Sequence, residues 1–119
     1  MEYKIKKHYI EINNPITCEA DALDIISLCM SNGINMLILR EGTLTEKFIN
    51  LRTGLAGLVL QKFINYNIKA SAVIDKDLEG RFKELVYELN KSNNFRVFDN
   101  NLDAEEWILD IAREGTGND

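Results

Sequence analysis

Histidine, proline and tryptophan each occur once in this chain of 119 residues, and cysteine occurs twice. The only histidine, His8, lies in a lysine-rich segment, so any Ser–His or Cys–His catalytic scheme would have to use what we expect to be a surface residue. Cys18 and Cys29 fall in one predicted helix, about 16 Å apart along its axis, which is too far for a disulfide. Neither has a Cys-x-x-Cys partner or a nearby histidine, so we expect two small core thiols and no metal site.

Positive charge and long apolar runs are also scarce. The 14 basic residues face 19 acidic ones, and the net charge of −5 argues against a nucleic-acid partner, which needs clustered Lys and Arg. The one basic cluster, at residues 4–8, is typical of a strand edge protected by lysines. The longest apolar runs, such as Met36–Leu39, are far below the ~20 residues that span a bilayer, and the first residues are too polar for a signal peptide. We therefore expect a cytoplasmic protein without a membrane, nucleic-acid or cofactor partner.

What the sequence does contain is a regular alternation of short apolar runs and amphipathic segments. The pattern predicts strands at Met36–Leu39, Ala70–Ile74 and Phe95–Phe98, after a short hairpin or one bulged strand within residues 3–12. It predicts helices between Thr17 and Gly33, then over Thr53–Ile64, Leu78–Asn90 and Asp103–Arg113. Strands that alternate with helices imply parallel strands and right-handed crossovers.

The fold class that follows is α/β. We expect a single-layer, mixed, mostly parallel sheet of four to five strands flanked by four helices. One domain would occupy residues 1–113, and the polar, Gly-rich residues 114–119 would form a flexible tail.

The most unusual stretch runs from Phe48 to Tyr66. A Thr53–Gly54 step precedes an apolar helix, and Gly54 and Gly57 share one side of its first turn. Glycine inside a helix costs about 1 kcal/mol relative to alanine, so a compensating gain is expected there. Close approach of this turn to another backbone, or to a ligand, would supply that gain.

Residues 51–56, with the sequence LRTGLA, resemble in their Thr-Gly-Leu-Ala portion the segment of STAS domains in which Asp-Ser-Ser-Gly precedes a helix. STAS domains include the anti-sigma-factor antagonists and the tails of sulfate transporters. A more specific resemblance is to an uncharacterised bacterial family catalogued as domain of unknown function 4180. It rests on residues 51–57, on QKF at 61–63 and NY at 65–66, and on DALD at 21–24. The resemblance covers residues 3–111 and implies a STAS-like fold without an established activity.

One departure from the antagonists bears on function. Arg52 stands where they carry the phosphorylated serine, Leu51 stands where they carry aspartate, and only Thr53 keeps a hydroxyl. Arginine cannot be the target of a serine kinase. The resemblance therefore implies a docking surface at this helix start, without the phosphorylation switch.

Two hypotheses place a binding site at this helix start. In the first, the chain is a non-catalytic regulatory module that binds a protein partner, or a second copy of itself as a homodimer. The contact would involve the N-terminal turn and the outer face of the predicted helix at residues 53–64. Its contact residues would be Arg52, Thr53, Gly54, Gly57, Gln61 and Tyr66. In the second, the same turn binds a small anion or nucleotide through free amides and Arg52, although no Walker loop is present.

A third hypothesis is a magnesium-dependent hydrolase. Glu41, Asp75, Asp77 and Asp99 follow predicted strands, and the carboxyl ends of parallel strands are where functional groups gather. Acids near helix starts are also expected on dipole grounds, which gives these residues a structural explanation.

Overall fold

Five short strands and five α-helices succeed one another through residues 1–117, the part of the chain that the computed structural model describes. The strands are Tyr3–Ile5 (β1), Ile10–Ile12 (β2), Met36–Leu39 (β3), Lys69–Val73 (β4) and Phe95–Phe98 (β5). The helices are Glu19–Asn32 (α1), Glu46–Ile49 (α2), Leu55–Asn65 (α3), Gly80–Leu89 (α4) and Asn101–Gly117 (α5). A 3₁₀ helix at Leu51–Thr53 separates α2 from α3.

The strands form one sheet in the order β1-β2-β3-β4-β5. β1 and β2 make an antiparallel hairpin, and β2 to β5 are parallel. Of the two possibilities for residues 3–12, a short hairpin or one bulged strand, the structure has the hairpin. The predicted α/β class, with a single mixed and mostly parallel sheet, is confirmed.

Two helical elements were not anticipated from the sequence. α2 and the 3₁₀ helix fill the connection between β3 and α3, and α3 begins at Leu55, two residues later than predicted. The last helix is longer than predicted, because α5 occupies residues 114–117 where the sequence suggests a tail. Residues 118–119 of that predicted tail lie outside the described residues. Within residues 1–117, no helix combines the length and the apolar character that crossing a bilayer requires.

The larger core lies between one face of the sheet and helices α1, α3 and α4. Alternate residues of the central strands point into it, so Leu37 and Leu39 of β3 are fully buried. Ile38, between them, points to the opposite face and is buried there. β3 is thus apolar throughout because both of its faces are covered.

The opposite face of the sheet is covered by α5, through Ala104 and Ile108. Two polar contacts mark the side of this face nearest β2. The Tyr9 hydroxyl donates to a Glu105 carboxylate oxygen at 2.6 Å, and the nearly buried Glu11 pairs with Arg40 at 3.3 Å. Burial, the hydrogen bond to Glu105 and the two carboxylates raise the pKa of Tyr9, so it stays a neutral donor.

The two cysteines differ in environment, which corrects the expectation that both are core residues. Cys29 is buried in α1, whereas Cys18 is the exposed residue just before that helix begins. Burial raises the pKa of the Cys29 thiol to about 11, and the thiolate is the form that reacts with electrophiles.

We predict that iodoacetamide alkylates native protein at one cysteine only. At pH 8 Cys18 should be modified and Cys29 should stay unmodified, because its thiol is both inaccessible and protonated. Peptide mass spectrometry after alkylation checks this, with urea-unfolded protein as the control in which both react. Modification of Cys29 at a rate similar to that of Cys18 in native protein would contradict the described core.

Candidate functional site

One hydroxyl group joins the helical segments that precede α3. Thr53 Oγ1 lies 2.6 Å from the carbonyl oxygen of Lys47 in α2 and 3.0 Å from that of Asn50, and its single proton is shared between these two acceptors. The same oxygen accepts the N–H of Leu55, the first residue of α3, at 3.2 Å. Thr53 therefore caps its helix from one residue further out than a standard N-cap, and it fixes α2, the 3₁₀ helix and α3 relative to one another.

Gly54 makes the sharp turn between the 3₁₀ helix and α3. Its φ of 79° lies in the left-handed region, which residues with a Cβ adopt only at a cost. This conformational requirement accounts for glycine at residue 54. Gly57 is different, because it lies inside α3 with helical geometry, and a methyl group built there meets no heavy atom within 4 Å.

The predicted close approach at the two glycines therefore does not involve another part of this chain. Apart from the chain neighbours and the adjoining helix backbone, no described residue comes within 4 Å of a Cβ built at either position, and both glycines are exposed. Gly57 leaves a bare patch of helix backbone at the surface. The amides of Ala56 and Gly57 have no hydrogen-bond partner among residues 1–117, as is usual for the first turn of a helix.

Arg52 lies in the 3₁₀ helix and is exposed. It borders a groove of about 510 Å³ between this corner and the start of α4. The corner contributes Ile49, Asn50, Leu51 and Arg52, and the start of α4 contributes Glu79, Arg81 and Phe82. The corner residues follow β3 and the α4 residues follow β4, so the groove belongs to the end of the sheet where parallel α/β proteins bind ligands.

The two sides of the groove are joined beneath it by an aromatic contact. Phe48 of α2 and Phe82 of α4 are both buried and meet edge to face, with ring centroids 6.3 Å apart. Such a pair adds about 0.5–1.5 kcal/mol to the burial of its surface. The spacing of the two rims is thus fixed by the core.

The six predicted binding residues do not form one cluster. Arg52, Thr53, Gly54 and Gly57 lie around the start of α3, and Thr53 is engaged in the capping contacts. Gln61 is exposed two turns further along and donates to Asn65 at 2.9 Å. Tyr66 is the half-exposed residue that ends α3, about 16 Å from its start by helical rise. Tyr66 therefore belongs to a different part of the surface from Arg52.

Arg81 was missed because it comes from another helix. A signal for it was present in the sequence: a basic residue in the first turn of a helix opposes the helix dipole, and α4 has no acidic residue in that turn. Among residues 1–117, neither Arg52 nor Arg81 forms an ion pair, whereas Arg40, Lys62, Lys76, Lys91 and Arg113 do. Glu79 is the one acid on the rim.

Two acids of the magnesium hypothesis, Glu41 and Asp99, make local contacts through their carboxylates. Glu41 accepts the backbone N–H of Asp75, and Asp99 accepts from the side chain of Asn100. Asp103 and Asn100 cap the start of α5 reciprocally. No group of three or more His, Cys, Asp or Glu suited to a metal ion occurs in the described part of the chain.

The comparison with protein families identifies one match. The family model described as Domain of unknown function (DUF4180) matches residues 4–108. The chain belongs to this family. The more specific of the two resemblances in the sequence is thereby confirmed. No curated protein and no solved structure matches the chain.

The DUF4180 region includes both rims of the groove, since Arg52 and Arg81 fall within residues 4–108. The groove is therefore part of the family domain. The family description brings no activity with it, so a function must be argued from the site itself.

We predict opposite effects of alanine at the two glycines. Gly54→Ala should lower the free energy of unfolding by about 1–2 kcal/mol, because alanine must adopt the left-handed φ. Gly57→Ala should raise it by about 0.5–1 kcal/mol, because alanine is the better helix former and has room there. Urea denaturation of both variants and the wild type measures the difference; a destabilised Gly57→Ala would contradict the assigned helix start.

Proposed function

We propose that this protein is a non-catalytic regulatory module that binds an acidic segment of a partner protein in the groove between the Arg52 corner and the start of α4. The observation that carries the proposal is the pair of exposed arginines, Arg52 and Arg81, which border one groove and have no ion-pair partner among residues 1–117. Guanidinium groups bind carboxylates and phosphates in two-point contacts.

The charge balance of the chain favours an acidic partner at this groove. With a net charge of −5 the chain as a whole repels an acidic segment, so an acidic partner would need local positive charge of the kind that the two arginines place at one groove. Glu79 offsets part of this positive charge. The Glu79 carboxylate also disfavours a purely apolar partner. A partner that carries a hydrogen-bond donor next to its acidic residues would donate to this carboxylate.

The surface next to the groove favours a protein over a free small molecule. Gly57, Leu58 and Gln61 form an exposed strip on the outer side of α3, and Leu58 is 38% exposed. The bare backbone at Gly57 would let a partner approach more closely than any side chain allows. A partner that contacted both this strip and the groove would bury the larger surface that an interface with a protein requires.

We predict that the partner is lost when either arginine is reversed in charge. Tagged wild-type protein, Arg52→Glu and Arg81→Glu should be incubated with lysate of the native host, and retained proteins identified by mass spectrometry. A protein retained by the wild type should be at least tenfold depleted with each variant. Lys7→Glu is the matched control, since it makes the same charge change at an exposed site in the β1–β2 turn, at the opposite end of the sheet.

The Gly57→Ala variant adds a second test, in which weaker binding could not be explained by a loss of stability. If it binds less partner while unfolding at higher urea concentration, the bare backbone takes part in the contact. A partner retained equally by Arg52→Glu, Arg81→Glu and the wild type would contradict the proposal.

A free small anion is the second candidate, and the groove volume favours it. About 510 Å³ lies within the range of roughly 300–1,000 Å³ typical of small-molecule sites, and the floor is apolar. Thermal-shift measurements with a panel of phosphorylated and carboxylate metabolites separate the two candidates. A compound that stabilises the wild type but not Arg81→Glu would favour the small ligand. If no compound stabilises the wild type, the protein partner is the remaining candidate.

A further inference from the structure

The free edge of β1 carries unsatisfied backbone groups that alternate along the strand. The N–H of Lys6 donates to Tyr9 and the carbonyl of Glu2 accepts from Asn13, so the even-numbered residues of this segment hydrogen-bond towards β2. In an antiparallel ladder the backbone N–H and C=O groups of the residues between these even-numbered residues point away from the paired strand. The N–H and C=O groups of Tyr3 and Ile5 therefore face away from the sheet.

The other edge of the sheet is β5, and a side chain occupies outward backbone groups there. Val97 of β5 has both outward backbone groups occupied by one side chain: Asn90 donates to its carbonyl at 3.1 Å and accepts its N–H at 2.8 Å. An amide side chain used in this way takes the place of a neighbouring strand. The Asn90 side chain thus protects β5 against pairing, whereas β1 is protected only by its lysine side chains, and its outward backbone groups have no hydrogen-bond partner among the described residues.

The side chains at the β1 edge are apolar on one face and charged on the other. Tyr3 and Ile5 lie on the face of the main core, opposite Ile12 and Ile10, yet they are 43% and 47% exposed. Glu2, Lys4 and Lys6 alternate with them and face the α5 side, where none forms an ion pair within residues 1–117.

We infer that this edge binds the same edge of a second copy of the chain, in an antiparallel pairing centred on Lys4. In that register Tyr3 of one protomer lies opposite Ile5 of the other, twice over. All four outward N–H groups then find outward carbonyls. On the other face Glu2 lies opposite Lys6 of the other protomer, also twice, which makes two pairs of opposite charge.

The pairing has one unfavourable contact, and it sets the expected strength. Lys4 lies opposite Lys4 of the other protomer and diagonal to both Glu2 and Lys6 of that protomer, so only Glu11 of its own β2 offsets the repulsion. The strand has only three residues, so the buried area is small. The dimer is therefore weak and reversible, as small interfaces are.

A charge-swap series tests the register. Purified wild type, Lys6→Glu, Glu2→Lys and the double variant are compared by sedimentation equilibrium over a concentration series up to about 1 mM, which detects a dimer with a Kd in the millimolar range. Each single variant puts two like-charge pairs across the interface and should dimerise about tenfold more weakly. The double variant restores opposite charges and the original net charge, so it should recover the wild-type constant. Lys7→Glu matches the charge of Lys6→Glu outside the pairing and should behave as wild type.

Four outcomes would overturn the inference. The first three are a wild type that stays monomeric at the highest concentration, a Lys6→Glu variant that dimerises as well as the wild type, and a double variant that does not recover. Loss of the dimer in Arg52→Glu would also overturn it, because that variant changes the groove and leaves β1 intact. All variants are exposed-site substitutions, and circular dichroism confirms that each is folded. Because no partner protein is present, the result is independent of the proposed function.

Discussion

The candidate site depends on the contacts of the Thr53 hydroxyl and on the left-handed turn at Gly54. The hydroxyl binds carbonyl oxygens before the turn and the first amide after it, and glycine is the residue that makes the turn without strain. Together they stop one helical segment and start the next within two residues. Arg52 is consequently held at the rim of a groove, beside the open first turn of α3.

The fold was largely predictable because the sheet is short and covered on both faces. Apolar runs such as Met36–Leu39 have no polar position, and that pattern together with helix periodicity gives the class, the strand positions and the parallel order. The segment between β3 and α3 was not predictable. α2 is a single turn, capped by Thr45 with a hydrogen bond from Phe48, and four residues are too few for a periodic pattern.

The site was only half predictable, for a related reason. Arg52, Gly54 and Gly57 lie in one continuous segment, so their spacing pointed to a common surface. Arg81 comes from the next helix, and only the packing of Phe48 against Phe82 brings the two segments to one groove. Tyr66 was grouped with Arg52 from sequence proximity, yet a helix of eleven residues separates their positions. The DUF4180 match shows the family of the chain and indicates no binding residues.

The proposed function requires that an acidic chain binds between residues 49–52 and the start of α4. The most direct measurement is a titration of ¹⁵N-labelled protein with a hexaglutamate peptide at low ionic strength, followed by amide chemical shifts. We predict shifts concentrated at residues 50–57 and 79–82, weakened by added salt and abolished by Arg52→Glu. Shifts elsewhere, or the same shifts in Arg52→Glu, would contradict it.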